Sequence, residues 1–209
     1  YETPYERWLS EVMLQQTRTT TVEGYFQKFL RAFPTVEDLA RATDDEVQAL
    51  WAGLGYYSRA RNLHRAARLV AERGGVFPKT AAGLAELPGV GPSTAGAIAA
   101  FCYGERAVMC DGNAKRVLAR VMAIPGAVGE RAFETSVWRA AESLLPASED
   151  MAAYTQGLMD VGAEICRKKA PRCSECPVRT FCRASQEGRV EDYPAPRAKR
   201  ERPVRSATL

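Results

Sequence analysis

An acidic residue and two amides interrupt an apolar helical stretch near the start of the chain. Glu11 lies with Arg7, Gln15 and Arg18 on a polar stripe of this helix, and Gln16 follows Gln15. An apolar stripe lies beside it: Trp8, Leu9, Val12 and Met13. A carboxylate in apolar surroundings lowers stability unless it is paired or neutral. Because burial favours the protonated form, Glu11 could serve as a general acid. The alternative interpretation is a helix-surface ion pair with Arg7, which lies one turn earlier.

Four of the six cysteines lie within 17 residues, at Cys166, Cys173, Cys176 and Cys182. Disulfides are rare inside cells, so thiols clustered with this C-x6-C-x2-C-x5-C spacing predict a metal site. Zinc usually takes two short cysteine pairs, and here there is only one. The unequal gaps therefore favour a 4Fe–4S cluster, with zinc as the alternative. The first gap carries cations that could contact phosphates: Arg167, Lys168, Lys169 and Arg172.

A glycine turn lies near the middle of the chain, in LPGVGPSTAG at residues 87–96. Its two glycines permit a tight hairpin, and Pro92 suits the first turn of a following helix. The free N–H groups of such a helix start can bind phosphate without any side-chain charge. This predicts a helix-hairpin-helix at about residues 80–104. The residues expected to contact nucleic acid there are Gly89, Val90, Gly91, Ser93 and Thr94.

Two tyrosines follow another glycine break, at Gly53-Leu54-Gly55. Tyr56 and Tyr57 lie where the loop becomes helix, and Arg59 comes next. Paired aromatics interleaved with arginines can stack on bases or wedge between them. Packing of both rings within the fold is the alternative. The functional interpretation predicts that Tyr56, Tyr57 and Arg59 contact nucleic acid.

Asp111 directly precedes a helix predicted over residues 114–123. Helix capping is the ordinary role of such a residue. A helix N-terminus also favours an ionised carboxylate, which is the state needed to face a developing cation. Asn113 follows in the same short motif. The cations of this helix are expected on its outer face: Lys115, Arg116 and Arg120.

Composition and patterning predict an all-α intracellular protein. The 209 residues are 46% hydrophobic and 26% charged, as in ordinary globular proteins, with no membrane-spanning run or signal peptide. No segment alternates as a strand does. Helices are predicted over residues 1–17, 21–33, 56–73, 114–123, 130–145 and 150–165, with N-caps at Thr35 and Thr43. From Cys166 onward, 12 Lys and Arg face 5 Asp and Glu, which suggests a polyanionic partner.

These motifs together resemble the endonuclease III superfamily of DNA glycosylases. Within it, SEVMLQQT at 10–17, GLGYYSRARNL at 53–63, LPGVGPSTAGA at 87–97 and DGN at 111–113 closely resemble adenine DNA glycosylases of the MutY type. The resemblance implies an all-α helix-hairpin-helix glycosylase fold with a DNA cleft between two lobes. A six-helix barrel lobe would span residues 5–108. Residues 1–4 and 109–185 would form the iron–sulfur cluster lobe, and 186–209 a basic linker or tail.

The resemblance also implies the chemistry. Family members hydrolyse the N-glycosidic bond of adenine mispaired with guanine or 8-oxoguanine. Glu11 matches the acid that protonates the adenine ring and helps handle water. Asp111 matches the carboxylate that stabilises the sugar cation, and Asn113 matches a residue that orients this chemistry. Gln16 and Tyr56 match side chains that enter the duplex, where the target base must be extruded. The resemblance also implies DNA contacts at further positions: Gln15, Thr17, Leu54 and Lys115.

Ser93 determines the expected reaction type. Bifunctional relatives carry at this position a lysine that attacks the sugar and then cleaves the strand. A serine cannot form a Schiff base, so we expect base removal without efficient strand cleavage. Relatives of the MutY type often have a tyrosine here, so one contact in the pocket departs from the family pattern.

The resemblance implies a 4Fe–4S cofactor and a monomer that binds double-stranded DNA carrying an A:8-oxoguanine or A:G mispair in the bacterial cytoplasm, at the nucleoid. The family's short segment before Tyr1 and its C-terminal, 8-oxoguanine-reading domain are not among these residues. We therefore expect a fragment that keeps the chemistry but discriminates poorly between 8-oxoguanine and guanine. Two alternatives stay open: a thymine-mismatch or oxidised-pyrimidine glycosylase, and an inactive DNA-binding or redox module.

Overall fold

The computed structural model describes residues 3–197, and over that range the chain is almost entirely helical. The α-helices are α1 (Pro4–Leu14), α2 (Thr19–Ala32), α3 (Val36–Arg41), α4 (Asp44–Trp51), α5 (Tyr57–Glu72), α6 (Ala81–Leu84), α7 (Pro92–Tyr103), α8 (Gly112–Met122), α9 (Arg131–Ser143), α10 (Met151–Asp160) and α11 (Arg183–Gln186). A π-helical turn, Val161–Ile165, continues α10. Short 3-10 turns lie at Ser148–Asp150, Cys173–Glu175, Arg179–Phe181 and Val190–Asp192.

The predicted all-α class is confirmed. Between residues 3 and 197 no strand forms, and a single isolated bridge joins Ala127 to Ala195. The predicted helix-hairpin-helix is also confirmed, because α6 and α7 flank the glycine turn. None of the helices in the described part of the chain has both the length and the apolar character needed to cross a bilayer.

The chain forms two compact units. Within the described range, unit 1 comprises the residues up to 111 together with 141–159, and unit 2 comprises 112–140 and the residues from 160 onward. Glu11, Asp111 and the hairpin belong to unit 1, whereas the four clustered cysteines belong to unit 2. The functional lobes implied by the resemblance, with their boundary at residues 108 and 109, stay a prediction.

An apolar core runs through unit 1 and organises its helices. The stripe predicted on α1 is buried: Trp8, Leu9, Val12 and Met13. The Trp8 ring lies 5.3 Å from the Phe77 ring, and the Trp51 ring meets the Phe29 ring edge-on at 5.8 Å, centroid to centroid. α1 packs against α2, α5 and α7, while α5 also packs against α3 and α4. The helix that carries Glu11 is therefore central to this unit.

Side-chain caps begin two of the short helices in unit 1. Thr35 accepts a hydrogen bond from the backbone N–H of Asp38, whose carboxylate accepts one from the N–H of Thr35. Thr43 and Glu46 make the same reciprocal pair at the start of α4. Both predicted N-caps are confirmed, and both are capping boxes.

α1 ends three residues earlier than the periodicity predicts. Its last helical residue is Leu14 rather than Thr17, because Gln16 adopts a left-handed backbone with a φ of 57°. The last carbonyls of α1 are instead bonded by the Arg59 guanidinium, which comes from α5. A cap supplied by a distant helix leaves no trace in the local pattern, so periodicity cannot locate this end.

Two arginines of α8 hold unit 2 together. Arg120 is 2% exposed and donates hydrogen bonds to a set of backbone carbonyls, those of Cys166, Arg167, Lys168 and Tyr193. Arg116 donates to the carbonyls of Gly162 and Cys166, both at 2.7 Å. The prediction that these two arginines lie on an outer face is wrong. A guanidinium can be buried when its five N–H groups find acceptors, and the loop at Cys166 supplies them.

Residues 187–197, part of the predicted tail, pack on unit 2. Tyr193 is buried, and the backbone N–H of Ala195 donates to the Gly126 carbonyl at 2.9 Å. The rest of the predicted tail, residues 198–209, lies outside the described residues. So do residues 1 and 2, where the first helix was predicted to begin.

Candidate active site and cysteine site

Glu11 is a buried carboxyl on α1. The residue is 7% exposed, and its Oε1 lies 3.4 Å from Nη1 of Arg7. Burial raises the pKa of Glu11 above its ordinary value of 4.5; Arg7 opposes the rise and Asp111 adds to it. The ion pair that the spacing suggests does form, but burial has the larger effect on the pKa of Glu11. Arg7 is itself held with its guanidinium 3.9 Å from the centroid of the Phe101 ring.

Asp111 differs from Glu11 in its surroundings. Asp111 is exposed and directly precedes α8, whereas Glu11 is buried on α1 beside Arg7. The two carboxyls are close enough for the Asp111 charge to raise the pKa of Glu11. Two carboxyls in unlike environments suit one proton donor and one ionised group.

α7 fixes the segment that leads to Asp111. The Ser93 Oγ accepts a hydrogen bond from the backbone N–H of Cys110 at 2.9 Å. One turn later, a Cβ on Gly96 would lie 2.0 Å from the carbonyl oxygen of Val108, so only glycine allows this approach. Sequence reasoning missed Gly96, although its place among small residues in a helix was an available signal. Together Ser93 and Gly96 hold the backbone immediately before Asp111.

The hairpin has the geometry that its glycines require. Gly89 has a φ of 79°, and Gly91 is the N-cap residue of α7. Both are exposed, whereas Val90 between them is buried. The Gln15 side chain donates from Nε2 to the Gly89 carbonyl at 3.1 Å and to the Thr94 Oγ1 at 3.3 Å. Gln15 thereby joins the end of α1 to the hairpin.

Two exposed side chains project from strained backbone. Gln16 and Tyr56 have φ values of 57° and 48°, a region that residues with side chains seldom adopt. Gln16 is exposed, and Tyr56 and Tyr57 are 59% and 45% exposed. Left-handed conformations of this kind concentrate at functional sites. Leu54, by contrast, is buried in the core of unit 1.

Arg59 lies inside unit 1, unlike the exposed residues predicted with it. The residue is 8% exposed, and its guanidinium donates to backbone carbonyls and to the Thr17 hydroxyl. Thr17 is half-buried beside it. An arginine that follows two exposed tyrosines in sequence gives no sign of such burial, because the acceptors lie on α1 and on the preceding loop.

Asn113 and Lys115 lie on the first turns of α8 in unit 2. The Asn113 Oδ1 accepts a hydrogen bond from Nη2 of Arg116 at 2.9 Å. A Cβ on Gly162 would lie 2.9 Å from the Asn113 Cβ, so the π-helical turn packs closely here. The Lys115 ammonium pairs with the Glu134 carboxylate. Both side chains are held in place within unit 2.

The four clustered cysteines of unit 2 line one cavity. Apolar side chains complete the lining, among them Val117 and Val161. Burial raises the pKa of Cys182, and the other three thiols add to the rise, so all four lie within electrostatic range. The Cys166 Sγ also accepts a hydrogen bond from Nη1 of Arg120 at 3.3 Å.

The spread of the thiols bears on which metal they suit. Between residues 3 and 197, no three potential ligands are grouped so that they could hold a single metal ion. In a 4Fe–4S cluster each cysteine binds a different iron, so the sulfurs stand farther apart than around one zinc ion. Four thiols lining one cavity are the donor set that a 4Fe–4S cluster requires.

Comparison with known proteins places these features in a family. The chain is 40% identical over 182 residues to an adenine DNA glycosylase of Buchnera aphidicola subsp. Baizongia pistaciae, covering 87% of this chain and 51% of that protein. It is 46% identical over 189 residues to an adenine DNA glycosylase of Homo sapiens, covering 90% and 34%. The chain thus spans about half of the first relative's length and about a third of the second's.

Structural comparison gives the same fold. The solved structure of a thermostable thymine-DNA glycosylase superposes with a TM-score of 0.76 at 28% identity, covering 90% of this chain and 86% of that one. Residues 9–143 match the family model described as HhH-GPD superfamily base excision DNA repair protein. That region runs from α1 through α9 and is well over half of the chain, which belongs to the HhH-GPD superfamily of base excision DNA repair proteins.

Proposed function

We propose that this chain is the catalytic part of a monofunctional adenine DNA glycosylase. Its substrate would be double-stranded DNA in which adenine is mispaired with 8-oxoguanine or guanine. One observation carries the proposal: Glu11 is a buried carboxyl whose pKa is raised by that burial, and the charge of Asp111 adds to the rise. The names of the two relatives supply the base that this pair of carboxyls would release.

The proposed reaction separates the roles of the two carboxyls. Protonated Glu11 donates its proton to a ring nitrogen of the extruded adenine, which makes the base a better leaving group. The bond between C1′ of the sugar and the base then breaks, and its electron pair leaves with the neutral adenine. The Asp111 carboxylate stabilises the positive charge that develops at C1′. Water adds to C1′ and loses a proton to the Glu11 carboxylate, which restores the acid.

Arg7 contributes to this cycle through the charge it carries. Before the proton transfer, burial outweighs Arg7 and keeps Glu11 able to donate. After the transfer, the guanidinium at 3.4 Å faces a carboxylate and stabilises it. Arg7 would therefore keep the pKa of Glu11 from rising so far that the acid could no longer release its proton.

Ser93 supports a reaction without strand cleavage. Its hydroxyl is engaged by the backbone N–H of Cys110, and a hydroxyl cannot form a Schiff base with the sugar. The serine instead helps to hold the backbone before Asp111. Asn113 would assist from the start of α8, where Arg116 fixes its amide.

The proposed DNA contacts use backbone and exposed side chains of unit 1. The exposed N–H groups of Gly89 and Gly91 precede α7 and would bind a phosphate, as helix starts do. The N–H of Val90, between them, donates to the Leu87 carbonyl at 3.0 Å, so Val90 would support the turn and not the phosphate. Gln16, Tyr56 and Tyr57 are exposed and would contact the bases around the extruded adenine. We propose that the protein acts as a monomer at the nucleoid, where its substrate is found.

We also propose that Cys166, Cys173, Cys176 and Cys182 hold a 4Fe–4S cluster. Such a cluster would supply a rigid cross-link and an electron-transfer centre. The roles that we propose for the residues around the cluster do not depend on electron transfer. Arg120 fixes the loop that begins at Cys166, and four exposed cations decorate that loop: Arg167, Lys168, Lys169 and Arg172. They would hold DNA phosphates on this side.

The decisive experiment measures adenine release by the wild type and Glu11→Gln. Duplexes carrying A:8-oxoguanine, A:G or T:G are incubated with each protein, and the free base is identified. The wild type should release adenine, and Glu11→Gln should be slower by roughly 100- to 10,000-fold, the usual contribution of a general acid. Glu23→Gln, an exposed carboxyl of α2, is the matched control and should match the wild type.

Two other results would overturn the proposal. Release of thymine but not adenine would favour a thymine glycosylase, the class of the solved structure at 28% identity. Rapid strand cleavage through an intermediate trapped by borohydride would show a lyase, against the expectation from Ser93. Absence of iron from the purified protein, with zinc in its place, would refute the cluster.

A further inference from the structure

Gln16 and Tyr56 are alike in an unusual way. Each has a left-handed backbone, and each carries an exposed side chain. A residue other than glycine in this conformation costs on the order of 1–3 kcal/mol, so surrounding bonds must hold it there. The two residues are 40 positions apart in sequence, in different loops of unit 1. The structure shows that the same side chain supports both loops.

That side chain is Arg59, and one of its nitrogens caps α1. Nη1 donates to the carbonyl of Met13 at 2.8 Å, of Gln15 at 2.6 Å and of Val12 at 3.3 Å. These carbonyls lack partners further along the helix because α1 ends at Leu14. The guanidinium therefore caps the end of the helix and fixes the residue immediately before Gln16.

The other nitrogen of Arg59 joins the two loops. Nη2 donates to the Thr17 Oγ1 at 3.0 Å, and to the carbonyls of Leu54 and Gly55 at 3.4 Å each. Gln16 is thus held on both sides, through its two chain neighbours. Tyr56 is held through the two residues before it.

Aromatic contacts reinforce the second loop. The guanidinium carbon of Arg59 lies 5.3 Å from the ring centroid of Tyr56 and 5.3 Å from that of Trp51. The Trp51 Nε1 donates to the Gly55 carbonyl at 2.9 Å. The position of the Tyr56 ring is therefore fixed at its backbone and on one face, while 59% of the residue stays exposed.

We propose that Arg59 is a positioning residue that sets the spacing and orientation of Gln16 and Tyr56 as a pair. Arg59 is buried and its guanidinium donates to acceptors within unit 1, so it does not act by binding DNA directly. A lysine would keep the charge but not the planar fork that reaches both loops. The inference rests on the proposed function, in which Gln16 and Tyr56 contact the duplex around an extruded adenine.

The test compares Arg59→Lys with Arg65→Lys, which makes the same change on an exposed residue of α5. Single-turnover adenine release is measured on a duplex with A:8-oxoguanine and on one where the adenine faces an abasic site. Extrusion is easier from the second duplex. A third duplex carries 2-aminopurine at the target position, and its fluorescence reports extrusion.

Arg59→Lys should lower the rate on the A:8-oxoguanine duplex roughly 10- to 100-fold, as misplacement of supporting groups does. The loss should be several-fold smaller opposite the abasic site, and the 2-aminopurine signal should fall. Arg65→Lys should match the wild type. Equal losses on both duplexes, with an unchanged fluorescence signal, would overturn the inference. Failure of the wild type to release adenine would instead overturn the proposed function.

A second variant covers the case in which Arg59→Lys does not fold. Thr17→Val removes one acceptor of Nη2 and should show the same selective loss, smaller in size. Gln16→Ala completes a double-mutant cycle on the rate of adenine release. If Arg59 or Thr17 acts through Gln16, the double variant should lose less rate than the two single variants combined. Losses that multiply fully would overturn the inference.

Discussion

Units 1 and 2 are stabilised in different ways. Unit 1 has a continuous apolar core, built on the buried aromatic rings of α1, α2 and α4. Unit 2 relies instead on the hydrogen bonds of Arg116 and Arg120 to backbone carbonyls, and on four thiols around one cavity. Each buried carbonyl that loses its donor costs about 1–3 kcal/mol, and Arg120 alone serves several of them. Unit 1 is expected to tolerate the loss of one surface hydrogen bond, whereas unit 2 depends on particular polar atoms.

The two units also bury charge for different purposes. Arg120 of unit 2 is buried with acceptors for its N–H groups, so its burial stabilises the fold. Glu11 of unit 1 is buried with a single basic neighbour, and burial raises its pKa. The burial of Arg120 is structural. The burial of Glu11 lowers the stability of the folded state and serves the proposed reaction. Substitutions at these residues should therefore change stability in opposite directions.

The largest effect is expected from Cys176→Ser. With one of the four proposed ligands gone, the proposed cluster should be lost, and the loop that carries the cysteines should become less stable. Amides of unit 2 should then exchange rapidly with solvent, while those of α1 and α5 stay protected. Iron analysis and hydrogen exchange measure this. Cys102→Ser, a cysteine of unit 1 outside the four, is the control and should keep its iron; equal loss of protection in both units would contradict the comparison.

The next largest effect is expected from Arg120→Met. The substitution keeps an apolar stem of similar length but leaves several carbonyls of the cysteine loop without a donor. We expect unit 2 to lose about 3 kcal/mol of unfolding free energy, from more than one unsatisfied buried group. Urea denaturation followed by hydrogen exchange measures the loss. Arg131→Met, at an exposed position of α9, should be nearly neutral; a similar loss there would show that burial is not the cause.

Glu11→Gln should stabilise the protein near neutral pH. Because the pKa of Glu11 is raised in the folded state, ionisation costs stability as pH rises above the ordinary value of 4.5. Below that pH the carboxyl is protonated in both states, so the gain should vanish. Thermal denaturation of the wild type and the variant at pH 3.5 and pH 7.5 measures whether the gain in stability depends on ionisation. A constant gain at both pH values would show that ionisation is not responsible.

The same raised pKa predicts how wild-type activity depends on pH. Adenine release needs the protonated carboxyl, so its rate should fall as pH rises through the pKa of Glu11. A single-turnover pH profile measures this. A rate that does not change up to pH 9 would mean that Glu11 is not the proton donor.

Thr43→Ala should have the smallest effect. Removal of the hydroxyl leaves the Glu46 N–H without its cap at the start of α4, which costs about 1 kcal/mol. The loss should appear in unit 1 only. Denaturant titration measures it, with Thr20→Ala, an exposed residue of α2, as the control. A loss as large as that of Arg120→Met would contradict the view that unit 1 is the more tolerant.

The sequence predicted what depends on local patterns. The all-α class, the buried stripe of α1 and both capping boxes follow from spacings of three and four residues, and the hairpin follows from its glycines. The cysteine spacing indicated which four thiols lie together, and the structure brings them to one cavity. Each of these features is decided within a few residues of chain, where sequence carries most of the information.

Long-range contacts of charged side chains were beyond such reasoning. Arg59, Arg116 and Arg120 are polar residues that patterns assign to the surface, yet each is wholly or partly buried against backbone carbonyls. Those acceptors belong to segments far away in sequence. The end of α1 at Leu14 was missed for the same reason. The burial of Glu11 together with its ion pair also required the structure, because spacing alone permitted either.

The close approach of Gly96 to the Val108 carbonyl bears on how this sequence can diverge. Exchanges between glycine and alanine are among the commonest in helices, and by composition Gly96→Ala is a mild change. Here the added methyl would displace the backbone that leads to Asp111, although residue 96 bears no reactive group. A ranking of inherited variants by their distance in sequence from the catalytic carboxyls would underestimate the effect of a substitution at such a position. In this chain, the substitutions that can be accepted are limited by the space around the backbone as well as by the needs of the reaction.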